Sequence, residues 1–182
     1  MGTIKRPAPV KLMCSILTGA PDLIAEARLA LSEQWGRLDF ASELLPFDHT
    51  TYYAAEMGAG LLRQIVTFEK LVDPAYLPDI KIATNALETR WLAAGRRRVN
   101  LDPGYVSLAK LVLATTKDHG HRLYLRDGIY AEVTLRFRDG HFHPWEWTYP
   151  DYASPTYLAL FDAIRAHYLQ QLRALPGTIS KP

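Results

Sequence analysis

The sequence predicts an α+β protein: a ferredoxin-like β-α-β-β-α-β core extended by an antiparallel three-stranded meander and a C-terminal helix. Three observations carry this expectation. Apolar runs that read as strands alternate with two stretches of helical periodicity in the first hundred residues, Arg126-Asp127-Gly128 and Asp139-Gly140 then mark two hairpins, and Ser154-Pro155 opens a final amphipathic stretch. With 182 residues, 48% of them hydrophobic and 22% charged, the chain has the size and composition of one ordinary domain spanning 1–182, with flexible ends expected at 1–8 and 176–182.

The elements follow in order. Val10 to Leu17 is apolar except for Lys11 and Ser15 and ends in Thr18-Gly19, so it reads as a buried strand and a turn. Pro21 suits a helix start, Leu23, Ile24, Ala27, Leu31 and Trp35 share one face, and Gly36 stops the helix. Phe40 to Phe47 and Leu61 to Val72 are the next strands, the second entered through the turn residues Gly58-Ala59-Gly60. A helix from about Pro78 to Ala94 places Ile80, Ala83, Leu87 and Trp91 on one stripe before Gly95. Arg96 to Leu101 reads as a short strand closed by a turn at Asp102-Pro103-Gly104. Leu108 to Thr116 fits either helix or strand; Ser107 as a cap and its Ala, Leu and Lys content favour a short helix.

Three antiparallel strands are expected between His121 and Trp147. In the first hairpin a three-residue loop, Arg126-Asp127-Gly128, pairs Leu125 with Ile129, Leu123 with Ala131, Tyr124 with Tyr130 and Arg122 with Glu132, leaving His121 beside Val133 toward the core. The last helix presents Leu158, Phe161, Ile164, Tyr168 and Leu172, with Arg165 as the polar exception.

Composition removes several function classes. A formal net charge of +2 is too small for the sequence-wide footprint of a typical nucleic-acid binder, although its sign is unevenly spread. No Lys or Arg occurs from Leu38 to Leu62, where Asp39, Glu43, Asp48 and Glu56 stand, whereas Arg96 to Arg122 holds six basic residues against two acidic ones. The single cysteine, Cys14, rules out an intramolecular disulfide and lies in an apolar run without a local base. The first residues lack the apolar stretch of a signal peptide and no run approaches a membrane span, so a cytoplasmic protein with no membrane partner is expected.

The runs Phe47-Asp48-His49-Thr50-Thr51-Tyr52-Tyr53-Ala54-Ala55-Glu56-Met57-Gly58, Val99-Asn100-Leu101-Asp102-Pro103-Gly104-Tyr105, Lys110-Leu111-Val112-Leu113-Ala114-Thr115-Thr116-Lys117-Asp118 and Trp147-Thr148-Tyr149-Pro150-Asp151-Tyr152 resemble a bacterial family filed as domain of unknown function 4416. The resemblance covers nearly the whole chain and implies no activity, cofactor or catalytic residue.

Candidate chemistry therefore rests on the residues themselves. His119-Gly120-His121 and His141-Phe142-His143 could begin a metal site, but an Asp139-Gly140 turn sets His141 and His143 opposite Arg138 and Arg136, and no metal is assigned. Asp48 and Glu56 around Tyr52 and Tyr53 could do acid–base work, or Asp48 could cap a short helix. Arg96-Arg97-Arg98 could hold phosphate or complement a helix end. The most suggestive stretch concentrates anion donors in Lys110, Thr115, Thr116, Lys117, His121 and Arg122, to which Tyr149 and Asp151 of a proline-fixed loop can add stacking and a carboxylate. The leading expectation is a site for a phosphorylated or otherwise anionic metabolite such as a nucleotide, with His121 as the proton-transfer residue. The rivals are an RNA or single-strand module using Arg96 to Arg98 with Tyr124 and Tyr130, and a non-catalytic adaptor or oligomer subunit anchored by Trp145 and Trp147. No cofactor and no oligomeric state is read from the sequence.

Overall fold

The computed structural model describes residues 2–48 and 53–175. Its elements are β1 (Lys11–Thr18), α1 (Asp22–Trp35), β2 (Leu38–Ala41), β3 (Leu45–Pro46), α2 (Ala54–Met57), β4 (Leu62–Phe68), α3 (Leu77–Glu88), β5 (Val99–Val106), β6 (Lys110–Thr115), β7 (Arg122–Arg126), β8 (Ile129–Arg138), β9 (His141–Pro144) and α4 (Pro155–Ala174), with 3-10 turns at Pro74–Tyr76 and Thr89–Trp91. The chain is α+β. Among the described residues, nine strands form one antiparallel sheet in the order β2-β4-β1-β5-β6-β8-β7; β3 joins the β4 edge and β9 the β8 edge.

Alternation along β1 divides its side chains between two apolar layers. Leu12, Cys14 and Ile16 face α1 and α3, where they meet Leu23, Ile24, Ala27, Leu31, Ile80 and Leu87. Met13 faces the other way, into a cluster with Ile65, Val106, Leu111, Leu135, Phe142 and the α4 residues Tyr157, Phe161 and Ile164. Burying a side chain such as Phe161 in this layer contributes about 1.5–3 kcal/mol. Lys11, the polar interruption of β1, is fully buried because its ammonium donates to Asp39, to the Phe68 carbonyl at 2.8 Å and to Gln171 Oε1 at 2.8 Å, tying β1 to β2, β4 and α4. Burial pushes the Cys14 thiol well above its ordinary value, so it is inert packing.

Several local expectations are corrected. The stretch Phe40 to Phe47 is two short strands, and β4 ends at Phe68 rather than Val72. Leu108 to Thr116 contains the strand β6, because Leu111 and Leu113 supply the α4 layer while Val112 and Ala114 pack with Leu77 of α3. Burial on both faces produces an unbroken apolar run that helix propensity does not decide. In the β7–β8 hairpin the pairs Arg122↔Glu132, Leu123↔Ala131 and Tyr124↔Tyr130 form as expected, but Arg126 pairs with Ile129 and the register shifts between Tyr124 and Arg126. The loop is the two-residue Asp127-Gly128, both residues at positive φ, 54° and 75°.

The turn expected at Asp102-Pro103-Gly104 does not occur; β5 runs through it. Each residue type has another cause. A Cβ on Gly104 would collide with the Val112 carbonyl oxygen and lie 2.7 Å from Leu113 Cδ2. Pro103 stands where the β5–β6 ladder stops, since those strands pair only at Gly104↔Leu113, Tyr105↔Val112 and Val106↔Leu111. The Leu101 N–H donates to Glu88 Oε1 at 2.6 Å, and its carbonyl accepts from Lys81 Nζ at 3.0 Å. These groups therefore point away from β1, and Pro103, two residues on, would direct its N–H to the same side. Having none, it cannot continue the ladder. Beyond this point β5 and β6 separate.

Replacing Gly104 by Ala forces β6 away from β5, and a loss of about 1–3 kcal/mol is expected from overpacking. Thermal melts should show a drop of at least about 2 °C, at the roughly 2–4 °C per kcal/mol typical of a chain this long; an unchanged midpoint would contradict the close approach.

Candidate functional site

Where β5 and β6 part, a cavity of about 780 Å³ opens. Its walls come from five places: Lys81, Asn85 and Glu88 of α3, Asn100 and Asp102 of β5, the end of β6 and the loop after it, the paired β7–β8 residues Arg122 and Glu132, and the loop before α4. Phe47, Tyr53, Arg63 and Arg97 complete the lining.

On the α3 bank, residues at i, i+4 and i+7 point a polar stripe at the unpaired edge of β5. Lys81 bridges the Leu101 carbonyl and Asp102 Oδ1, both at 3.0 Å, while Asn100 Nδ2 donates to Asp102 Oδ2 at 2.8 Å. Arg97 reaches the same bank: its Nε and Nη2 donate to the two Glu56 oxygens at 2.7 Å, and its Nη1 to Glu88 and Asn100. Burial raises the Glu88 carboxyl above its ordinary 4.5, outweighing the Leu101 N–H and the nearby Lys81. Burial also opposes ionisation of Asp102, but Lys81 and Asn100 prevail and hold it below the ordinary carboxylate range.

Arg63 projects from β4 and is ion-paired with Asp151. Its guanidinium carbon lies 4.5 Å from the Phe47 ring centroid and 5.3 Å from that of Tyr152, and its buried Nε has no hydrogen-bond partner among the described residues. Burial pushes the Tyr53 and Tyr152 phenols well up, so both stay neutral hydroxyls near neutral pH.

The opposite bank carries the Arg122–Glu132 pair that the hairpin register anticipates. Arg122 Nε donates to Glu132 Oε2 at 2.9 Å, Nη1 to the Lys117 carbonyl at 3.0 Å and Nη2 to the Tyr149 hydroxyl at 3.0 Å. One guanidinium thus fixes the β6–β7 loop, the β8 carboxylate and the loop before α4. Thr115, Thr116, Lys117, Arg122, Tyr149 and Asp151, six of the residues selected from the sequence, line this one cavity. Lys110 does not; it is exposed at the far end of β6, opposite Arg136.

His121 is not beside Val133 in the core. Its Nε2 lies 3.1 Å from Glu132 Oε2, and its ring stacks between His119, with centroids 5.9 Å apart, and Trp147 at 5.3 Å. Trp145 continues the column at 5.1 Å, with the Arg136 guanidinium 4.3 Å above it. The two tryptophans expected as partner anchors are engaged with the chain itself. His121, Trp147, Gly120 and Glu146 line a second, open cavity, while His119 lines the main one. His141 pairs with Asp162 and His143 Nε2 lies 3.1 Å from the Arg138 carbonyl; among the described residues no three His, Cys, Asp or Glu side chains gather as a metal would require. Of the acidic-block candidates, Glu56 holds Arg97, and Tyr52, like the Thr50-Thr51 segment that Asp48 would cap, lies outside the described residues.

The sequence reading missed Arg63, Lys81, Asn85, Glu88, Asn100 and Asp102. Two signals were available: the spacing of Lys81, Asn85 and Glu88 beside the apolar stripe of α3, and the i, i+2 pair Asn100 and Asp102. The supposed turn concealed the second.

Residues 8–168 match the family described as a domain of unknown function, DUF4416, and the chain belongs to that family. No curated protein and no solved structure matches it. No helix among the described residues is long and apolar enough to cross a membrane.

Two outcomes follow for this bank-to-bank arrangement. Arg122→Met leaves the Glu132 carboxylate buried without its main partner and should cost about 3–5 kcal/mol in urea unfolding, much of it recovered in Arg122→Met/Glu132→Leu; equal losses in both would show the pair is not the cause. Glu88→Gln keeps an acceptor for Leu101 and tests the raised carboxyl. Near pH 4 Glu88 is largely protonated, folded or unfolded, so the variant and wild type should differ least. As pH rises past 4.5 the unfolded chain releases the proton before the folded one does, so wild-type stability should fall relative to the variant until the raised folded value is passed. A pH-independent difference would contradict the assignment.

Proposed function

Starting from a family without an assigned activity, we propose that this protein binds a small phosphorylated or otherwise anionic metabolite, of nucleotide or sugar-phosphate size, in the cavity between β5 and β6. The observation that carries the proposal is convergence: Thr115, Thr116, Lys117 and Arg122 meet Tyr149 and Asp151 around one cavity of about 780 Å³. That volume lies in the range of metabolite sites, roughly 300–1,000 Å³. Hydroxyls, an ammonium and a guanidinium are the donors an anionic group takes, and Tyr149 offers a half-exposed ring at the rim. His121, the proton-transfer candidate read from the sequence, lies outside this lining and meets it only through Glu132, 3.1 Å from its Nε2.

The strand order β2-β4-β1-β5, with α1 and α3 in the crossovers and packed on one face, supports reading the first half of the chain as a ferredoxin-like unit. The nucleic-acid alternative is weakened at its centre, because Arg97 of the Arg96–Arg98 run is turned onto Glu56 and Glu88.

A thermal-shift panel of nucleotides and sugar phosphates at millimolar concentration tests the proposal. A ligand at 100 times its Kd should stabilise the protein by about 2.7 kcal/mol, a rise of several degrees. Lys117→Ala should lose most of that rise; no response to any phosphorylated compound would remove the reading.

A further inference from the structure

Resting on the anion-site reading above, the geometry points to the charge of the ligand: we infer that the cavity takes a phosphate carrying one or two negative charges, attached to a hydroxyl-bearing unit, and discriminates against polyphosphates. Four cations of the lining are paired with carboxylates of the same lining. Arg63 is paired with Asp151, Lys81 with Asp102, Arg122 with Glu132, and Arg97 with Glu88. Lys117 makes five cations against four carboxylates, all on the same cavity, a fixed charge of +1. Glu56, which also holds Arg97 from outside the lining, lowers even that figure.

A triphosphate brings about four negative charges to a site with this balance, and enclosing charges without compensation is strongly unfavourable. A monophosphate ester brings at most two and a phosphodiester one, so they suit the site better. The acceptors gathered on the α3 bank indicate what the rest of the ligand carries. Asp102 and Glu88 share the α3 bank with the amides of Asn85 and Asn100, an array suited to receiving hydroxyl or amino donors. A ribose or other polyol joined to one phosphate supplies both ends; a bare polyphosphate chain supplies neither the donors nor the tolerable charge.

Isothermal titration of the full chain with ribose 5-phosphate, AMP and ATP, in metal-free buffer with EDTA, tests the inference. The expected result is that AMP or ribose 5-phosphate binds at least tenfold more tightly than ATP. ATP binding as tightly as both, or more so, overturns the charge assignment while leaving an anion site in place. No binding by any of the three overturns the site itself. Asp102→Asn and Glu132→Gln each remove one carboxylate from the lining and raise its charge by one; whichever variant retains a native circular dichroism spectrum should narrow the AMP-to-ATP ratio severalfold. An unchanged ratio in such a variant counts against the inference.

Discussion

A single missing N–H organises the centre of this structure. Pro103 cannot extend the ladder from β5 to β6, so three residue pairs join the two parts of the sheet and the strands diverge beyond Gly104. Divergence exposes the backbone groups of Leu101, which must find partners once they are removed from water. Glu88 and Lys81 provide them, standing in for the strand that is not there. The cavity, the burial of two charged side chains of α3 and the raised carboxyl of Glu88 all follow from that one interruption.

The same logic explains why the interior is so highly charged and yet so evenly balanced. A cation drawn toward the gap loses its hydration, and each of the four drawn deepest sits with a carboxylate from another element. Arg63 joins β4 to the loop before α4, and Arg122 joins β7, β8 and two loops. Buried pairs of this sort add little net stability over an apolar packing, but they fix the relative positions of the elements they join.

Much of the architecture is legible in the sequence because it depends on local pattern. The period of α1 and α4, the stop at Gly36 and the Ser154-Pro155 start of α4 reflect forces acting within one element. Cross-strand chemistry was legible too, in the pairing of Arg122 with Glu132 and Tyr124 with Tyr130. Errors arose where a tertiary cause imitated a local one. Asp-Pro-Gly is a turn signal in isolation, but here the aspartate answers Lys81, the proline ends a ladder and the glycine admits the Val112 carbonyl. β6 carries residues suited to a helix because helices cover both of its faces. One part of the cavity lining, from Thr115 to Arg122, was legible because its residues are close in sequence; another is assembled from β4, α3 and β5, which only the fold brings together.

With so short a backbone seam, the spacing between the two parts of the sheet is governed by the helices that straddle it. Leu77 of α3 rests on Val112 and Ile129 while Ile80 and Leu87 rest on β1 and β5, and α4 spans from Met13 and Ile65 on one side to Leu111 and Leu135 on the other. The gap is therefore dimensioned from outside. A change of one methylene in the packing of Phe161 or Leu77 alters its width while every cavity-facing group keeps its identity. Homologues can thus diverge in the shape of this cavity through apolar positions that are not part of its lining.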